Sequence, residues 1–362
     1  MRGHKEEQGG MFVYTTAEKM VPEDHPIRAI KRRADAVLKR LSPLFDRMYS
    51  GMGKPSIPPE RLLKGRLLIA LYSMRSERLF CEMLRYNILF KWFLDMEIDE
   101  DAFDASSFSK NQERLMSHEV ARLFFDEVVR EARHDGLLGD EHFSVDGTLI
   151  EAWASMKSFK PKDETNERHD DDDPGNTTVD FHGEKRSNAT HRSTTDPEAR
   201  LMRKGKGKEA KLCFMGHVLM ANRNGLCVDV SVSRADGRAE REEAKRMLRR
   251  QAMKRVRPKT LGADKGYHAK EFFEDLRARG VAPHIAQVQG RDTPGMDGRT
   301  TNSVGYKLSQ KLRKKVEEIF GWVKTVGGLG KTRYKGVART QQCAYITYAA
   351  YNLLRLAKLS PS

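Results

Sequence analysis

The chain of 362 residues is poor in cysteine, tryptophan and long apolar runs. Its 4 cysteines, Cys81, Cys213, Cys227 and Cys343, are scattered with no Cys-x-x-Cys pair. That spacing excludes a zinc ribbon and a disulfide framework, so reduced thiols are expected. No apolar stretch approaches the roughly 20 residues a membrane span needs, and no charged-then-apolar leader opens the sequence. A soluble, intracellular protein with no membrane partner is expected. No internal repeat recurs along the chain.

Acid is in deficit. Lys and Arg total 66 against 51 Asp and Glu, a formal charge of +15, with an isoelectric point near 9.6. Such a surface suits a polyanion, and nucleic acid is the leading partner. Single cores stop growing near about 250 to 300 residues, so one large domain and one smaller one are expected.

From His25 to about Gly136 apolar residues recur at helical spacing, as in Leu62, Leu63, Leu67, Ala70 and Leu71, with Pro58 and Pro59 where a helix can begin. A further helix after Ser117 turns Val120, Leu123, Phe124, Val128 and Val129 inward and stops at Gly136. Residues 1–138 therefore read as a helical domain, and 139–362 as an α/β domain.

The α/β part opens with Phe143 to Ile150, where Phe143, Val145 and Leu149 alternate with Ser144, Asp146 and Thr148, a strand that carries an acid. Residues 157–210 turn polar, with Asp170 to Asp173 beside His169 and a Lys204-Gly205-Lys206-Gly207-Lys208 run. They read as a loop or insertion with little to bury. Two strands, Leu212 to Met220 and Leu226 to Val232, are joined by Asn222-Arg223-Asn224-Gly225, a hairpin signal that makes the first three strands antiparallel. A helix after Asp236-Gly237, a strand Thr260 to Asp264, a helix His268 to Arg279 and a strand Val281 to Val288 complete a mixed sheet flanked by helices. An apolar helix from about Gln341 to Leu356 is expected to pack on it.

Two acids fall where ligands bind in such sheets: Asp146 within the first strand and Asp264 at a strand end, before Lys265-Gly266-Tyr267. The third sits in the stretch Tyr306 to Lys324, where Val316, Ile319, Phe320 and Val323 mark one amphipathic helix. Arg313, Glu317 and Lys324 share a neighbouring stripe, whereas Glu318 points away and is expected to pair with Lys314. Three carboxylates can hold two divalent ions about 4 Å apart, the arrangement that activates a nucleophile and steadies a leaving oxygen in phosphodiester displacement. Hard oxygen ligands favour magnesium or manganese. Arg313 and Lys324 are suited to phosphates.

The order Asp146, Asp264, Glu317, with Tyr306, Arg313 and Lys324 around the glutamate, resembles the bacterial insertion-sequence DDE transposases of the Tyr-Arg-Glu-Lys signature. Arg313, three residues, Glu317, six residues, Lys324 fits that signature, while six residues between Tyr306 and Arg313 depart from it. Phe103 to Phe108 is similar to the end of the family's N-terminal domain, and Asp180 to Asn188 also looks like that group. The resemblance implies a ribonuclease H-like catalytic core with metal-binding Asp146, Asp264 and Glu317. It also implies transposition, binding of terminal inverted repeats by the helical domain, target DNA as a second substrate, and a homodimer on DNA ends.

Duller readings stand beside these. Asp170 to Asp173 reads as a solvated loop. Lys331, Arg333 and Lys335 are expected along a DNA backbone, and Lys204 to Lys208 less so. Trp322 reads as core, Trp153 as core or contact, and Tyr267 and His268 as a polar turn or contact. Two rival functions remain: a nuclease of the same fold without joining activity, and a catalytically silent DNA-binding derivative.

Overall fold

The computed structural model describes residues 14–49, 52, 56–117, 119–162, 179–181, 184–203, 208–288 and 298–359. The Asp170 to Asp173 run and Lys204 to Gly207 lie outside these residues.

The first third of the chain is helical, as its spacing predicts. Helices α1 (Ala17–Met20), α2 (Ile27–Met48), α3 (Pro59–Leu71), α4 (Glu77–Leu84) and α5 (Ile88–Phe93) are followed by α6 (Ala105–Ser117) and α7 (Val120–His134). In α2 the buried residues Ile27, Ile30, Ala34, Val37, Leu38, Leu41 and Phe45 form a single stripe. Pro59 opens α3, where a missing N–H costs nothing. Beyond α7, Gly136 takes φ +67°, and its N–H returns to the Arg133 carbonyl at 3.0 Å. Only a residue without a Cβ enters that left-handed region without strain.

Strand β1 (His142–Glu151) begins the α/β part. Short strands β2 (Phe159–Pro161), β3 (Val179–Phe181), β4 (Glu184–Arg186), β5 (His191–Ser193) and β6 (Arg200–Met202) follow. The polar stretch read as a loop or insertion therefore carries short strands of its own. Phe159, Ala199 and Leu201 are buried within it, and β6 joins the main sheet by pairing Leu201 with Leu212. The two strands are neighbours in sequence, but a polar composition does not announce their pairing.

The long hairpin β7 (Lys211–Ala221) and β8 (Leu226–Arg234) is as predicted. Gly225 closes its turn at φ +67°. β7 pairs antiparallel with β1, from Phe143↔Ala221 to Glu151↔Cys213. Its other edge is shared, Lys211 to Cys213 pairing with β6 and Phe214 onward with β8. Helix α8 (Ala239–Met253) leads to β9 (Thr260–Ala263), and α9 (Lys270–Ala278) leads to β10 (Ala282–Ile285). β9 lies parallel to β1, and β10 parallel to β9. Three antiparallel strands in the order β1, β7, β8, extended on the β1 side by parallel β9 and β10, make the expected ribonuclease H-like sheet.

Helices α10 (Gly298–Thr301), α11 (Val304–Leu312), α12 (Val316–Thr325) and α13 (Val337–Leu359) complete the fold. The single amphipathic helix expected over Tyr306 to Lys324 is divided, because Arg313 to Lys315 tighten into a 3-10 turn. That turn spoils the four-residue spacing between Lys314 and Glu318, and no ion pair joins them among the described residues.

Helix α13 packs against α7, α3 and α2 as well as against β8. One hydrophobic core therefore runs from Val21 in the helical part to Leu356. Its polar side chains serve the outer edge of β8. The Asn352 amide accepts from the Cys227 N–H at 3.0 Å and donates to the Cys227 carbonyl at 2.8 Å. Gln341 accepts from the Val232 N–H at 2.6 Å. Among the described residues no helix is long and apolar enough to cross a membrane.

Candidate active site

The site forms where β1 and β9 stop pairing. Their ladder ends at Ser144↔Gly262, two residues short of Asp146 and two short of Asp264. Continuing that parallel register sets the two aspartates at matching positions on neighbouring strands, whose spacing is about 4.8 Å. Asp146 accepts the Gly147 N–H at 2.8 Å, and Asp264 accepts the Gly266 N–H at 2.8 Å. Each carboxylate is thus oriented by its own chain.

Glu317 lies in the first turn of α12, a helix that contacts β1. Val316, Ile319, Phe320 and Val323 bury the other side of that helix, so Glu317 stays exposed. Its charge still reaches Asp146. Burial first, then the neighbouring charges of Asp264 and Glu317, push the Asp146 carboxyl up to about 6, against the pull of the Gly147 N–H and of Arg313.

A fourth acid that sequence reasoning missed stands among these. Glu240, in the first turn of α8, is pushed up to about 7 by burial and by the charges of Asp264 and Asp146. Tyr267, read as a polar turn or a contact, is not exposed. It is wholly buried, its hydroxyl has no hydrogen-bond partner, and Glu240, Asp146 and Asp264 add to the burial that drives its pKa upward. Among the described residues no three acids, histidines or cysteines are grouped as metal ligands. Unscreened like charges keep such carboxylates apart, and a cation relieves them. Every donor in the set is a carboxylate oxygen, the chemistry of a hard divalent ion.

The basic residues fall in two groups. Arg313 sits over β9: a Cβ built on Gly262 would lie 3.7 Å from the Arg313 Cβ, and its Nε donates to Gln310 at 3.0 Å. Lys324 is farther along α12, where its charge opposes the rise of the buried Cys213 thiol, opposite Glu151. Lys331 is exposed but ion-paired with Glu151 at 2.8 Å. Arg333 and Lys335 are exposed.

Of the aromatic candidates, Trp322 is half-buried against Tyr351 at 5.7 Å, whereas Trp153 is 55% exposed. The Tyr306 hydroxyl donates to the Ile285 carbonyl at 2.9 Å, so it braces β10 and stays clear of the acids. All four cysteines are free thiols.

A transposase domain (DUF772) matches residues 15–114, and a transposase DDE domain matches residues 176–353. Asp264 and Glu317 fall within the second, and Asp146 lies between the two. No curated protein matches the chain. Among solved structures, a piggyBac transposase synaptic complex with hairpin DNA is 9% identical, covering 92% of this chain and 75% of that one, with a TM-score of 0.37. A pre-cleavage Mos1 transpososome is 10% identical, covering 90% and 88%, with a TM-score of 0.20. A Mos1 mariner paired-end complex with Mn is 12% identical, covering 93% and 97%, also with a TM-score of 0.20. The two family matches together take in most of the chain, which belongs to the DDE transposases.

Proposed function

We propose that this transposase cleaves DNA at the ends of an insertion sequence and joins the freed ends to target DNA, with Asp146, Asp264 and Glu317 as catalytic, metal-binding residues. One observation carries the reading: two aspartates at matching register on parallel strands, and a helical glutamate whose charge reaches the first of them. Magnesium or manganese suits this all-oxygen donor set, and when bound supplies the Lewis acidity that phosphodiester displacement requires.

The chain's own residues do the positioning. The Gly147 and Gly266 amides fix the two aspartates before substrate arrives, so little reorganisation is left for the reaction. Arg313, next to the acids, offers a planar donor fork to the scissile phosphate. Lys324, Lys331, Arg333 and Lys335 extend positive charge toward flanking phosphates, where contacts position the duplex without reading sequence. The helical region of residues 1–138 takes the role of recognising terminal repeats, and two copies, one per end, form the working dimer.

A labelled duplex carrying the element's terminus, incubated with magnesium or manganese, tests this. Cleavage at the terminus by the intact protein and none by Glu317→Gln is the expected result, and joining to a supercoiled plasmid separates a transposase from a nuclease. Binding without any cut would favour a catalytically silent DNA-binding protein.

A further inference from the structure

We propose that Glu240 is a fourth carboxylate ligand of the divalent ions. The proposal rests on the metal-dependent reading above and extends it to a residue outside the three-acid pattern.

The start of α8 is held firmly. The Asp236 carboxylate accepts the N–H groups of Arg238 at 2.8 Å and Ala239 at 2.6 Å, which fixes the turn that leads into the helix. From there the Glu240 carboxylate reaches between the two strand ends. A Cβ built on Gly147 would stand 2.7 Å from its Oε1, and one built on Gly266 would stand 3.2 Å from its Oε2. These are the glycines whose amides orient Asp146 and Asp264. One carboxylate therefore spans both catalytic strand ends, in room left by two missing side chains.

Its neighbours on α8 have other employment: Glu242 pairs with Lys245 at 3.0 Å, and Glu243 pairs with Arg246. Glu240 has no hydrogen-bond or ion-pair partner among the described residues. A half-buried acid without a partner is costly unless a cation joins it. A second, independent sign is the Tyr267 hydroxyl, buried without a partner in the field of the same three carboxylates. Four carboxylates also match the four positive charges of two divalent ions, so metal can load without waiting for a DNA phosphate.

Manganese binding to the DNA-free protein, followed by the electron paramagnetic resonance of free Mn2+, tests the assignment without reading activity. Glu240→Gln should weaken binding about tenfold or more, while Glu242→Gln leaves it unchanged. Gly147→Ala, which pushes on the same carboxylate without removing it, should weaken binding in the same direction and serves if Glu240→Gln does not fold. If Asp264→Asn weakens manganese binding while Glu240→Gln and Gly147→Ala do not, Glu240 is no ligand and the three-acid site stands. If Asp264→Asn changes nothing either, or the wild-type chain takes up no manganese, both readings fall.

Discussion

Asp264 accepts the N–H of Gly266 at 2.8 Å, and the same glycine leaves room that a side chain would close: an added Cβ would sit 3.0 Å from Asp264 Oδ1. Gly266→Ala should therefore shift the carboxylate by a few tenths of an ångström while leaving the hydrophobic core intact. Misplacement on the scale of 1 Å can cost about a hundredfold in rate. The expected outcome is at least a tenfold slower cleavage of a terminal duplex, with a melting temperature within a few degrees of wild type. Unchanged cleavage would remove Gly266 from the site.

The Asp146 carboxyl, pushed up to about 6 mainly by burial, predicts an inverted stability profile in metal-free buffer. An unfolded aspartate titrates near 3.9, so between about pH 4 and pH 6 the native state binds more protons than the unfolded state. Stability should fall as pH rises through that window, and Glu240, pushed up to about 7, should carry the fall on to about pH 7. Asp146→Asn removes the charge and should be more stable than wild type by up to about 3 kcal/mol at pH 7 in chelator. Adding magnesium should reverse the order, since only the wild type keeps the full donor set. Denaturant titrations with and without chelator would show both effects, and equal curves in chelator would rule out a strained Asp146.

For DNA, the ion pair of Lys331 with Glu151 separates it from its exposed neighbours. Arg333→Ala and Lys335→Ala should each weaken duplex binding irrespective of sequence and lower the salt-dependence slope by about one. Lys331→Ala should have a smaller effect, because the wild-type lysine must first leave Glu151. Binding measured across a range of salt concentrations settles the ranking, and a larger loss at Lys331 would refute it.

Asn352 is buried and satisfies both backbone groups of Cys227. Asn352→Leu keeps the volume but orphans a donor and an acceptor, each costing about 1 to 3 kcal/mol. A loss of about 2 to 5 kcal/mol in urea unfolding is expected. A loss below 1 kcal/mol would mean that water replaces the amide there.

What was legible in the sequence was local. Alternation placed Asp146 on a strand, a strand end placed Asp264, and the helical period around Val316, Ile319, Phe320 and Val323 placed Glu317. The same signals delivered the β7–β8 hairpin through Asn224-Gly225. Glu240 was illegible because α8 carries charge on most of its surface, so nothing local tells the acid that reaches the strand ends from Glu242, which pairs with Lys245, or Glu243, which is buried against Ser231 of β8. The burial of Tyr267 was not legible because its turn is polar in sequence, while packing against Phe272 of α9 buries the ring. β6 was missed because it is only three residues long and lies in a polar stretch, although it pairs with the next strand in sequence. Tyr306, whose spacing to Arg313 departs from the signature, gives its hydroxyl to the Ile285 carbonyl.

The amides that α13 lays along β8 have a consequence for how copies of this protein meet. An outer strand with bare backbone groups is a template onto which another chain can add. Here Asn352 and Gln341 occupy the Cys227 and Val232 positions on that side, so one sheet cannot continue into the next across β8. A variant with this edge uncovered would be prone to self-association through β8.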